Sequence, residues 1–313
     1  MSTAKSTSVL GFVLALGSAA SFALSGIFAS ALMESGWTAG AAVTARISFA
    51  ALLLLAPTAY MLRGSWQLVR RAWGSILLFG SLAVAGCQLA FFLAVQFIPP
   101  SLALLIEFMG PVLLILWSWS RTRISPSFIT LLGAALAVLG LVAVSGGVLG
   151  SGLHPLGILF ALIAAVGNAA YFAAGAKADH GIAPLPFVGL GLSVGAVILA
   201  IFSITGLLPF TVSSAPGTVA GISLDPWILV TCMVLVSTVL AYLLGVAAAR
   251  KLGATVASFT GYSEPLFGIV WTILLLSVLP TSAQWVGAAL IVAGVVTVKV
   301  GELRAAGAAD PQT

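Results

Sequence analysis

Gly133-Ala134-Ala135-Leu136-Ala137-Val138-Leu139-Gly140-Leu141-Val142-Ala143-Val144 returns near the end of the chain. There it reads Gly287-Ala288-Ala289-Leu290-Ile291-Val292-Ala293-Gly294-Val295-Val296-Thr297-Val298. A shift of 154 residues takes Gly133 to Gly287. The same shift pairs Trp73 with Trp227, Ala94 with Ala248, Ala103 with Ala257, Pro111 with Pro265 and Trp117 with Trp271. One register held across three consecutive apolar segments is not a product of composition bias. An internal duplication in a chain this apolar points to two structural repeats packed around a central site, the architecture of secondary transporters.

Composition places the chain in a bilayer. Of its 313 residues, 61% are hydrophobic and only 6% charged, and the mean hydropathy is +1.22. A soluble domain carries about 25% charged residues, so this chain could not cover a water-facing surface. Cys87 and Cys232 both lie inside apolar runs and read as packing residues, not as a disulfide or metal pair. The run from Val9 to Leu32 is too long for a signal-peptide core and reads as the first spanning helix.

The expected fold is an all-α integral membrane protein with ten transmembrane helices. The spans fall near 9–32, 38–62, 73–96, 100–120, 127–148, 155–176, 184–208, 227–249, 253–276 and 282–301, on a criterion of roughly 20 apolar residues. They divide into a first repeat over 9–148 and a second over 155–301, each of five helices. A polar, small-residue tail over 302–313 reads as disordered. The long connection at about 209–226 has room for a short interfacial piece. Lys5, Arg63, Arg70, Arg71, Arg121, Arg123, Lys177, Arg250, Lys251, Lys299 and Arg304 all fall on one side if ten helices alternate. The opposite loops carry no Lys or Arg. The positive-inside rule then puts both termini in the cytoplasm. It also explains the basic pI of about 9.6 without a nucleic-acid partner, because these residues lie against anionic lipid. An odd number of helices per repeat inverts the second relative to the first, with the substrate site at their interface near the midplane.

Charge inside the membrane marks candidate site residues. Arg46, Glu107 and Glu264 lie well within spans, where a charge costs about 2.5–3.5 kcal/mol even on an insertion scale. All three can face one cavity. They can line a pathway, bind a charged substrate group or carry a coupling proton; Arg46 can equally pair with a carboxylate or with helix-end carbonyls as a purely structural element. Gln88 and Asn168 are amides with donors and an acceptor to satisfy. Tyr171, Tyr242 and Tyr262 complete the pathway candidates, with packing as the alternative for the tyrosines. Ser and Thr at this depth, including Ser18, Ser25, Ser258, Thr260 and Ser263, are expected to bond mainly to backbone carbonyls. Pro111 and its repeat partner Pro265 predict paired helix kinks beside the site, since proline removes a helix hydrogen bond.

With these residues in hand, a family resemblance becomes visible. Phe97-Ile98-Pro99-Pro100-Ser101-Leu102-Ala103-Leu104-Leu105-Ile106-Glu107-Phe108-Met109-Gly110-Pro111-Val112 resembles the fourth helix of EamA-type transporters of the drug/metabolite transporter superfamily. In look it is closest to the bacterial threonine/homoserine exporters. Leu252-Gly253-Ala254-Thr255-Val256-Ala257-Ser258, Glu264-Pro265 and the GAAL helix resemble the second EamA repeat. One departure is that many members carry Gly-Glu before the last helix, where this chain has Ser277-Val278, so any role of that glutamate does not carry over. The resemblance implies ten helices in two inverted repeats, cytoplasmic termini in a bacterial inner membrane, and alternating access. It points to export of a small-molecule substrate, a polar metabolite such as an amino acid or analogue; import or exchange of another small metabolite is the alternative.

GxxxxGK[ST] is absent, so ATP does not drive the cycle, no cofactor or metal is called for, and protons are the candidate coupling ion. An intramembrane enzyme would need paired aspartates, Ser with His, or HExxH; His154 and His180 fall at loops, and no Asp lies mid-span.

Overall fold

The computed structural model describes residues 2–144, 154–177, 181–277 and 279–309. The first half contains α1 (Ser2–Glu34), α2 (Ala39–Met61), α3 (Trp66–Ala94), α4 (Pro100–Glu107), α5 (Gly110–Thr122) and α6 (Phe128–Val144). The second half contains α7 (Pro155–Gly175), α8 (Pro184–Ile204), α9 (Pro226–Leu252), α10 (Ala254–Gly261), α11 (Glu264–Leu276) and α12 (Ser282–Ala309). Pro100, Pro155, Pro184 and Pro226 open their helices, where a missing N–H costs nothing. Thr38 caps α2, its hydroxyl accepting from the Ala41 amide at 3.3 Å, and Asp225 caps α9 through Trp227 N at 2.8 Å. The outer surface carries bare apolar side chains such as Leu52, Leu139, Leu274 and Val292, as a chain dissolved in lipid requires.

Eight helices among the described residues are long and apolar enough to cross a membrane, with α4 and α5 counted together over Leu102–Thr122. The sequence predicts ten. One of the two remaining regions is α6, 17 residues long in its described part; the expected span ran on to 148, outside the described residues. The other is α10 with α11, interrupted at Tyr262-Ser263. Two further differences are smaller. The connection near 209–226 holds an antiparallel hairpin, β1 (Gly217–Val219) with β2 (Ile222–Leu224), so the fold is not purely α. The last helix continues to Ala309 instead of giving way to a tail at 302, because Glu302-Leu303-Arg304-Ala305-Ala306 are strong helix formers; residues 310–313 lie outside the described residues.

The repeat register survives in the backbone. Shifting by 154 residues superposes the starts of α4, α5 and α6 on those of α10, α11 and α12: Pro100 on Ala254, Gly110 on Glu264, Phe128 on Ser282. It also maps left-handed Arg123 (φ 59°) on left-handed Ser277 (φ 55°). Both α3 and α9 contain a wide π turn, Phe79–Gly86 and Leu235–Leu240, ending at the same repeat position. In α6 and α12 the glycines meet reciprocally. A Cβ on Gly140 would lie 2.7 Å from Gly287 O, and one on Gly294 would lie 2.7 Å from Gly133 O. Gly133 is the repeat mate of Gly287, and Gly140 of Gly294. The two helices therefore cross antiparallel about an approximate two-fold axis, with backbones closer than any side chain would allow.

The residues before the hairpin bind the second half to the first. Thr38 N donates to Thr211 O at 3.0 Å, Thr211 N to Thr38 Oγ1 at 2.9 Å, and Trp37 Nε1 to Ser213 O at 2.7 Å. Leu208 and Val219 are buried beneath this strap.

Candidate functional site

The site forms where both repeats lose their helix. α4 ends at Glu107 and α5 starts at Gly110; α10 ends at Gly261 and α11 starts at Glu264. The sequence predicts kinks at Pro111 and Pro265; the structure has a two-residue turn before each, Phe108-Met109 and Tyr262-Ser263, that interrupts the helix while its backbone stays right-handed, with each proline second in the following helix. A proline there has no N–H to bond the preceding turn, so the turn before it is released. The carbonyl of Phe108, in the turn between α4 and α5, accepts the Tyr262 hydroxyl at 2.6 Å, and the two rings meet edge to face. Phe108 and Tyr262 are repeat mates, so the pseudo-two-fold axis runs between the breaks. Tyr262 is fully buried, and its hydroxyl braces the two turns through the Phe108 carbonyl.

The two glutamates occupy opposite ends of broken helices. Glu107 is the last residue of α4, where the helix dipole opposes an anion, and Glu264 is the first of α11, where it favours one. Both are partly buried. Their repeat mates are Gly261 and Gly110, so the duplication has been made chemically unequal at its centre.

Arg46 sits on α2 and is 6% exposed. Its Nη1 donates to Ser25 Oγ on α1 at 2.7 Å, and its buried Nε has no partner. The sequence leaves a carboxylate, helix-end carbonyls or a charged substrate group open as partners of this guanidinium. Among the described residues its hydrogen-bond partner is instead the Ser25 hydroxyl, with Glu107, Glu264 and Tyr242 within electrostatic reach. The physical reason is geometric: Ser25 faces Arg46 from the neighbouring helix α1, while both carboxylates project from the breaks.

Asn168 on α7 packs its amide against Gly110 at the start of α5, and its buried Oδ1 has no partner. Tyr171, three residues further on the same helix, also has an unpartnered hydroxyl, directed at Gly245 and Ser18. Its ring joins Phe22, Phe79 and Tyr242 in an aromatic cluster, with Tyr242 5.1 Å from Phe22 and 5.6 Å from Tyr171. Gln88 is half-buried on α3 beside Cys87. The structure thus groups Arg46, Glu107 and Glu264 with Tyr242, places Asn168 against the break, and sets Tyr171 in the aromatic wall.

Sequence reasoning misses Cys87. The thiol, read as packing, donates towards Glu107 Oε1 at 3.3 Å, with Ala164 O at 3.4 Å as the alternative acceptor. Its only sequence signal is its place beside Gln88 on a central helix. Of the five named serines and threonines, Ser258, Thr260 and Ser263 each bond a carbonyl of the preceding turn and Ser18 bonds Ala241 O on α9, whereas Ser25 accepts from Arg46. Among the described residues no group of three His, Cys, Asp or Glu side chains could hold a metal ion.

Apolar helices in two repeats, broken at matched positions around buried charges, define a polytopic membrane protein of the transporter class. The chain matches the EamA-like transporter family over residues 9–146 and 155–300 and belongs to that family. It is similar to an uncharacterized inner membrane transporter, YicL, of Salmonella typhimurium (strain LT2), with 25% identity over 237 residues, 75% of this chain and 76% of that protein. A solved crystal structure of a protein aligns with 94% of this chain and 98% of its own length. Its TM-score is 0.73 at 18% identity, a likeness of fold alone.

Proposed function

We propose that this transporter lies in a bacterial inner membrane with both termini in the cytoplasm and exports small polar metabolites, amino acids or their analogues, by alternating access. Ten segments cross the bilayer in this reading, with α4–α5 and α10–α11 each making one broken crossing. What carries the reading is the pair of repeat-related helix breaks meeting on the two-fold axis beside Arg46, Glu107 and Glu264. Breaks of this kind release backbone groups to a cavity, and the two breaks can open and close in alternation because they are related by symmetry. A zwitterion suits this centre: its carboxylate answers Arg46 and its ammonium a glutamate. Protons are the coupling ion, carried on a carboxylate. The test is export from cells of candidate amino acids, followed by metabolite profiling of the medium, for the native protein and Glu107→Gln. Export that rises with the native protein and falls strongly with Glu107→Gln at equal protein level supports the reading. Saturable export unchanged by Glu107→Gln removes that carboxylate from the site.

A further inference from the structure

A cleft of about 360 Å³ opens between α5 of the first half and α7 and α10 of the second. That is the size of a small-ligand site. Arg121, Lys177, Ser118, Thr122 and Thr255 line its polar part, and Leu114, Trp117 and Ala173 its apolar part; among the described residues no acidic side chain lines it. Trp117 is 60% exposed, and the Arg121 guanidinium lies 5.5 Å over its ring. The N-terminus of α10 faces the same cleft through Ala254 and Thr255. Its cap residue, Gly253 at φ 79°, provides no side-chain cap, leaving the first amides of the helix open to an anion.

The other half does not repeat this arrangement. The mate of Arg121 is Leu275, and the mate of Trp117 is Trp271, which bridges α11 to α1 by donating from Nε1 to Ala20 O at 2.9 Å. The helix pair that is open and basic in one half is closed and uncharged in the other. Along α5 the lining runs from buried Leu114 through Trp117, which Arg121 partly covers, to Arg121 beside the helix N-terminus and Lys177, so apolar surface gives way to positive charge. Asp179, close to Lys177 in sequence, lies outside the described residues.

We propose that the cleft binds one anionic phospholipid, with its headgroup phosphate held by Arg121, Lys177 and the N-terminus of α10, and an acyl chain along Trp117 and Leu114. Basic pockets between transmembrane helices recognise anionic headgroups in this way. The test uses the whole protein purified in neutral detergent and titrated with phosphatidylglycerol or phosphatidylcholine, with bound lipid read by native mass spectrometry. Brominated phosphatidylglycerol serves as a quencher of tryptophan fluorescence. Phosphatidylglycerol should be retained in preference to phosphatidylcholine, and Arg121→Gln with Lys177→Gln should weaken it by about 30-fold, each basic residue near a headgroup contributing a factor of about five. Arg63→Gln with Arg70→Gln, which removes the same charge elsewhere on the exposed surface, should leave that lipid bound. Trp117→Phe should remove a quenchable component of the fluorescence. Equal losses in both double variants, equal retention of the two lipids, or displacement by millimolar inorganic phosphate would overturn the assignment, the last by moving the site to a soluble anion.

Discussion

Ser25→Ala should destabilise the protein more than Arg46→Met, although serine is the smaller and neutral partner. In the native protein Arg46 is 6% exposed, has one hydrogen bond to Ser25 Oγ and already has one unpartnered nitrogen, Nε. Ser25→Ala leaves the charge in place and strips the bond it makes among the described residues. Hydrogen bonds to charged groups contribute about 1.5–3 kcal/mol in soluble proteins, and side-chain bonds within membranes average about 0.6 with a maximum near 1.7. A loss of about 1–2 kcal/mol follows, about 5–30-fold in the ratio of folded to unfolded protein. Arg46→Met removes the buried charge, keeps most of the length, and frees a hydroxyl that can turn to a carbonyl of its own helix. Its stability should stay closer to the native value than that of Ser25→Ala, while export falls. Because the cost of Ser25→Ala exists only when the guanidinium is present, the double variant should match Arg46→Met. Thermal unfolding in detergent of the two singles and the double, alongside export from cells, measures all of this. Arg46→Met losing as much as Ser25→Ala, with an additive double, would refute the argument and return Arg46 to the role of a structural charge.

Tyr262→Phe should cost about 1–2 kcal/mol, because it strands the buried Phe108 carbonyl at the helix break; unfolding temperature reads the loss, and no change would mean the carbonyl finds another donor. Gly140→Leu should greatly reduce the yield of monodisperse protein, since even a Cβ would fall 2.7 Å from Gly287 O, and overpacking costs about 1–3 kcal/mol or more; size-exclusion profiles of expressed protein check it. Cys87→Ala should slow export about five-fold, as expected for loss of one hydrogen bond near 1 kcal/mol to Glu107, and Cys87→Ser, which keeps a donor, should recover most of it; equal rates for both variants would make the thiol a packing residue.

What the sequence determined by itself is the part of the protein that local pattern and composition dictate. With 6% charged residues, burial in lipid follows before any contact is known. The spacing of Gly133 and Gly287 is a property of the string, and it carried through to matched helix starts. The candidates Arg46, Glu107 and Glu264 were visible because charge is expensive in a span, wherever the chain places it. Tertiary structure decided what those residues touch. Glycine spacing does not say that Gly140 meets Gly287, the mate of its own neighbour Gly133. Nothing near Arg46 in sequence names Ser25 as its partner, and nothing near Cys87 names Glu107, since both bonds join helices whose approach is set by packing. Pro111 and Pro265 announced a lost hydrogen bond and an interrupted helix, but not that the Tyr262 hydroxyl would bond the Phe108 carbonyl, 154 residues away, and so join the two interruptions. The difference between Trp117, exposed beside Arg121, and Trp271, bonded to Ala20, is invisible in a repeat that aligns the two. Identical side chains at equivalent positions diverge because their neighbours come from different helices, and only the folded chain brings those neighbours together.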